Sequence, residues 1–108
     1  MIKVNVRYFN ILAAYAGTRK QSVELKEGTT IFDLILKLSQ SNSSTFQEVV
    51  LQDGAPSPHL RVFRNDQLVN PDFFNTTLLE SDEILLFPAV AGGAHLSFQF
   101  ISRFLKEI

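Results

Sequence analysis

The sequence predicts an α+β fold, a small mixed sheet with one main helix across a face. Three observations predict it. Residues 2–9 alternate, with Ile2, Val4, Val6 and Tyr8 on one face and Lys3, Asn5 and Arg7 on the other. Ile31, Leu34, Ile35 and Leu38 recur at helical spacing, as on a helix lying on a sheet. Glu83-Ile84-Leu85-Leu86-Phe87 is the strongest strand signal in the second half, and Pro88 cannot extend its ladder.

Taken in order, Ile2 to Phe9 is a half-buried strand. Asn10 to Lys20 reads as a loop around Gly17-Thr18 with a short apolar turn, Ile11-Leu12-Ala13-Ala14. Gln21 to Lys26 alternates through Val23 and Leu25 and is expected to pair with the first strand. Thr30-Ile31-Phe32-Asp33 has the form of a capping box and starts the helix. The polar, Ser-rich stretch from Ser39 to Thr45 should interrupt it, and Phe46, Val49 and Val50 give one more helical turn. Asp53-Gly54-Ala55-Pro56-Ser57-Pro58 is a turn cluster. Leu60 to Phe63 is a strand, Asn65-Asp66 a turn, and Gln67-Leu68-Val69 a short strand. Asn70-Pro71-Asp72 opens a loop in which Phe73 and Phe74 are expected to plug the core. The order is β-β-α-β-β-β.

Composition narrows the function classes. A chain of 108 residues is most simply one domain with a modest core. Hydrophobic residues at 45% and charged residues at 19% fit a globular protein and argue against disorder. Ten phenylalanines and no tryptophan imply a Phe-rich core. A net charge of −1 with no basic run offers no nucleic-acid footprint. No apolar run reaches the roughly 20 residues of a membrane span, and no signal-peptide pattern opens the chain, so the cytoplasm is the default expectation. Without cysteine there is no disulfide framework, thiol nucleophile or thiolate metal site, and sulfur chemistry would need another group.

No catalytic constellation stands out. His59 precedes a strand and His95 follows a Gly-Gly pair, neither with a His partner at ligand spacing. Asp82 and Glu83 read as structural carboxylates where a turn enters a strand on an exposed edge. The informative stretch is Phe87-Pro88-Ala89-Val90-Ala91-Gly92-Gly93, in which a strand, a proline, small residues and two glycines occur together. Glycines leave no Cβ to block a close approach, so such a segment suits a narrow channel in another protein.

These residues resemble the MoaD/ThiS group of ubiquitin-like β-grasp sulfur carriers. The resemblance spans about residues 1–93 and rests on element order, on Pro58 to Asp66 as the middle strand and turn, and on Leu79-Glu80-Ser81-Asp82-Glu83-Ile84 with Phe87 to Gly93 as the closing strand and tail. It implies a β-grasp domain that is not an enzyme and binds no cofactor. A ThiF/MoeB-like enzyme would use ATP to adenylate the terminal glycine carboxylate, here Gly93. Conversion to a thiocarboxylate would follow, with delivery to a sulfur-accepting synthase. Molybdopterin- or tungstopterin-type synthesis is the natural expectation, given the Phe-Pro-Ala-Val-Ala-Gly-Gly ending, with cysteine or thiamin synthesis as the alternatives. Gly92, Ala91, Val90 and Phe87 are the expected contacts with the activating enzyme. The exposed face of the closing strand near Phe87 is the expected docking surface, with Phe87 either an aromatic anchor or a core residue.

Residues 94–108 depart from the pattern, because a carrier ready for use ends at its second glycine. Phe98, Ile101, Leu105 and Ile108 follow 3-4-3 spacing, and Phe100 and Phe104 widen that face, so an amphipathic helix is expected. One reading is a precursor that a protease cuts between Gly93 and Ala94. The other is a permanent helix in a non-conjugating interaction module, docked on the sheet, in a self-associated form or on another chain. A third use of the same glycine is attachment to protein lysines as a modifier.

Overall fold

The first strand, β1 (Ile2–Tyr8), and the last, β7 (Glu83–Pro88), lie side by side and run parallel, pairing from Asn5 with Glu83 to Tyr8 with Leu86. The computed structural model describes residues 1–89. Between β1 and β7 in the chain come β2 (Lys20–Leu25), β5 (Leu60–Arg64) and β6 (Gln67–Leu68), and the five form one sheet of order β2-β1-β7-β5-β6. The other three pairings are antiparallel, so the sheet is mixed, as expected. A separate two-stranded ribbon, β3 (Leu51–Gln52) with β4 (Ala55–Pro56), closes on Asp53 and Gly54. Both turn residues have positive φ, which an Asp-Gly pair tolerates and a two-residue hairpin requires. The sequence reading took this stretch as turn alone.

The main helix, α2 (Ile31–Ser41), starts at the predicted capping box. Thr30 Oγ1 accepts from the Asp33 N–H at 3.1 Å, and Asp33 Oδ2 accepts from the Thr30 N–H at 3.2 Å. The interruption expected within Ser39 to Thr45 is present, after the helix has run on through Ser41. Ser39 and Ser41 donate their hydroxyls to the carbonyls of Ile35 and Lys37, which satisfies them inside helical geometry. The break falls at Asn42, and Ser43 then caps α3 (Ser44–Val50) by accepting from Phe46 N–H. A short helix, α1 (Ile11–Ala16), occupies what reads in sequence as a loop. It ends on Gly17, left-handed at φ 75°, whose N–H donates to the Ala14 carbonyl.

All three helices contribute to one core on one side of the sheet. Leu12 of α1, Ile31, Leu34, Ile35 and Leu38 of α2, and Phe46 and Val50 of α3 join Val4, Val6, Val62, Ile84 and Leu86 of the strands. Tyr8 meets Phe46 edge-on at 5.7 Å and donates its hydroxyl to Gln21 Oε1 at 2.7 Å. Of the two expected plugs, Phe74 is buried but Phe73 is 64% exposed. Neighbouring residues of a 3₁₀ turn (Pro71–Phe73) lie roughly 120° apart, so both rings cannot face inward.

A polar staple closes the far end of the sheet. Asp82 is buried and accepts from the Leu79 N–H at 2.8 Å and from the Asn65 side-chain amide at 3.0 Å. Arg64 Nη2 lies 2.6 Å from Asp82 Oδ2, the oxygen that also accepts from Leu79. Asn65 Oδ1 in turn accepts from the Glu83 N–H at 2.9 Å. The turn that leaves β5 is thereby tied to the start of β7. This corrects the expectation of carboxylates on an exposed edge: β7 is the central strand, and Asp82 is an interior partner.

Burial alone would favour the neutral acid at Asp82, but the Leu79 N–H, the Asn65 amide and the Arg64 guanidinium outweigh it and hold the carboxyl below its usual range. A lowered folded-state pKa means stability that is present above the unfolded-state value of about 3.9 and lost as pH falls through the folded value. Urea midpoints should therefore drop on acidification below about pH 4 in the native chain. Asp82→Ala should lower stability by about 1–3 kcal/mol at neutral pH and weaken that acid dependence. Burial pushes the Tyr8 phenol up to about 12. The unfolded phenol ionises first, so stability should fall as pH rises from about 10 towards 12, with late tyrosinate absorbance as the readout.

Candidate functional site

The end of β7 is where the chain leaves the sheet, and it is held on both sides. β1 pairs with it through Leu86, and β5 pairs along it from Arg64 with Ile84 to Leu60 with Pro88. The Ala89 N–H then donates to the His59 carbonyl at 2.7 Å. His59 itself is exposed, with its N–H given to Ser57 Oγ, in keeping with a strand-end residue. The exit is thus aimed by the sheet's central strand. Val90, Ala91, Gly92, Gly93 and Ala94, and the helix expected over 95–108, lie outside the described residues.

β7 is apolar on both faces. Ile84 and Leu86 enter the helix-side core, while Leu85 and Phe87 join Phe63 of β5 in a second cluster. Leu85 is in register with Phe63, and Phe87 with Arg61. Phe87 is only 2% exposed and stacks on Phe9 with ring centroids 4.5 Å apart and planes inclined by 28°. Of the two roles open to Phe87, the structure shows the packed ring. The sequence reading missed Phe9, Phe63 and Leu85 as a unit. Its signal was the unbroken run Ile84-Leu85-Leu86-Phe87, because a strand wet on one face alternates and one covered on both does not.

Beyond this cluster the same face turns polar towards β2. Arg7, in register with both Leu85 and Lys20, lines a shallow hollow with Asn5, Lys20, Gln21, Ser22 and Glu83. Asp82 and Glu83 do not act as a pair: Asp82 is committed to Arg64 and Asn65, and Glu83 is exposed. Among the described residues no group of three or more His, Asp or Glu is placed to hold a metal ion, and no helix is long and apolar enough to cross a membrane. What the described geometry offers is a rigid sheet that launches a chain end from its centre.

Comparison with known proteins agrees with that geometry. The chain is 33% identical over 94 residues to the molybdopterin synthase sulfur carrier subunit of Mycobacterium tuberculosis, covering 86% of this chain and all of that one. It is 25% identical over 93 residues to small archaeal modifier protein 3 of Haloferax volcanii, covering 85% of this chain and all of that protein. The crystal structure of SAMP1 from Haloferax volcanii, 27% identical, superposes with a TM-score of 0.71 over 84% of this chain and 99% of that one. The sheet with helices on one face is thus the ubiquitin-like β-grasp. The model of the ThiS family matches residues 6–93, from within β1 to the second glycine, and the chain belongs to that family.

Proposed function

We propose that this chain is the precursor of a sulfur carrier whose Gly93 carboxylate, once freed, is adenylated and converted to a thiocarboxylate. The observation that carries this reading is where the family match stops: at Gly93, with residues 94–108 beyond it. In the uncut chain Gly93 sits in a peptide bond to Ala94 and has no carboxylate. Hydrolysis of that bond creates one. A carboxylate oxygen then attacks the α-phosphorus of ATP, pyrophosphate departs, and the acyl carbon gains AMP as a leaving group. A sulfur nucleophile replaces AMP and leaves the carboxyl with one oxygen exchanged for sulfur.

In this scheme the activating enzyme is of the ThiF/MoeB kind and supplies all the chemistry. The carrier supplies reach. Val90, Ala91 and Gly92 are small enough to thread, and neither glycine carries a Cβ to clash beside the acyl carbon. The packed Phe87 holds the start of that segment still. The sulfur acceptor is a cofactor synthase of the molybdopterin type, in line with what the mycobacterial relative is named for.

A second reading has a specific observation behind it, the similarity to small archaeal modifier protein 3. The same acyl-adenylate could pass to a lysine amine of another protein and form an isopeptide bond.

Two outcomes are expected. Intact mass of the protein recovered from its own host should show a chain ending at Gly93, part of it with sulfur in place of one oxygen. Full-length chain under every growth condition would reject the precursor, whereas a set of higher-mass protein adducts would favour the modifier. In the chain ending at Gly93, Gly92→Val should leave the melting temperature unchanged and slow pyrophosphate release by a ThiF-like enzyme on the order of 100-fold, because the acyl carbon is held out of line.

A further inference from the structure

The second apolar cluster is deeply buried and has few hydrophobic neighbours among the described residues. Phe63, Leu85 and Phe87 are 2%, 6% and 2% exposed. They lie on the sheet face away from the core that receives α1, α2 and α3. Among the described residues Phe9 is the one further hydrophobic side chain packed against them. A single ring stacked on Phe87 does not span a patch that crosses from β7 to β5. Apart from Phe9, the neighbours in register on this face are the charged Arg7 and Arg61, and an apolar cluster this deeply buried calls for an apolar cover.

We propose that the cover is the chain's own C-terminal segment, Ala94–Ile108, laid across Phe63, Leu85 and Phe87. Position, length and composition each favour it. The chain leaves the sheet at Ala89, two residues after Phe87, on the strand that carries two of the cluster's three buried residues. Five residues, 90–94, can reach at most about 18 Å when extended, enough to turn back over the face. A helix over 95–108 would be about 21 Å long, close to the roughly 20 Å of the six residues of β7. The segment carries seven large apolar residues, Leu96, Phe98, Phe100, Ile101, Phe104, Leu105 and Ile108.

A chain without cysteine makes the test direct. Arg61→Cys places a thiol in register with Phe87 on the covered face, and Phe98→Cys, Ile101→Cys or Leu105→Cys is added singly in the full chain. Lys37→Cys on α2 replaces Arg61→Cys in the control pairs. Under mild oxidation at least one tail position should form a disulfide within the monomer about tenfold faster than its control, as expected when tethering raises local concentration at one face. Rates equal to the controls would overturn the proposal. Crosslinks found only in dimers would also overturn it, by assigning the cover to a second copy. Independently, the full chain with Phe98→Ser, Ile101→Ser and Leu105→Ser should bind an apolar fluorescent dye severalfold more than the native chain, and equal binding would count against the proposal. Neither readout involves adenylation, so both stand or fall apart from the fate of Gly93.

Discussion

The fold depends on one constraint: its first and last strands are neighbours and run the same way. A parallel pair cannot be closed by a tight turn and needs a long crossover. Everything between Tyr8 and Glu83 serves that return. β2 folds back antiparallel on the outside of β1, α2 and α3 cross the face, and β5 comes in antiparallel on the other side of the space that β7 will fill. Once β7 enters, its Ile84 and Leu86 complete a core that the helices have half built, and its Leu85 and Phe87 begin another on the opposite face.

The polar groups around Asp82 set where that last strand sits. A side chain moved one residue along β7 would exchange its two apolar faces without an obvious penalty, because both are apolar. Hydrophobic pattern therefore specifies the register of β7 weakly. Asp82 and Asn65 supply what the pattern lacks: each bonds at one position only, to Leu79, Arg64 and Glu83. Asn65 reaches these partners from a two-residue turn to β6 in which it and Asp66 both adopt positive φ.

Much of this was legible in the residues. Alternation in β1 and β2, the Thr30–Asp33 box and the 3-4 spacing of α2 are local signals with local causes, and they survive folding unchanged. The failures share a different origin. α1 has no side-chain cap at Asn10, so its only written mark was Gly17 at the far end. Phe73 and Phe74 are alike in sequence and separated only by the sense of a 3₁₀ turn. The central place of β7, and with it the burial of Asp82 and Phe87, depends on strands distant in sequence. For the site, the Phe87 to Gly93 motif was visible in the residues, while the packed face of Phe63, Leu85 and Phe87 was not, because pairing across β5 and β7 creates it.

The tail's anchorage in a central strand also has a mechanical side. An edge strand pulled at one end peels away one hydrogen bond at a time. β7 is gripped along both margins, by residues from Asn5 to Tyr8 on one side and from Leu60 to Arg64 on the other. A pull on the chain end along the strand axis must shear both ladders together, so the load spreads over all of them at once. A force transmitted along the chain beyond Ala89 can therefore be borne without unravelling the domain behind it.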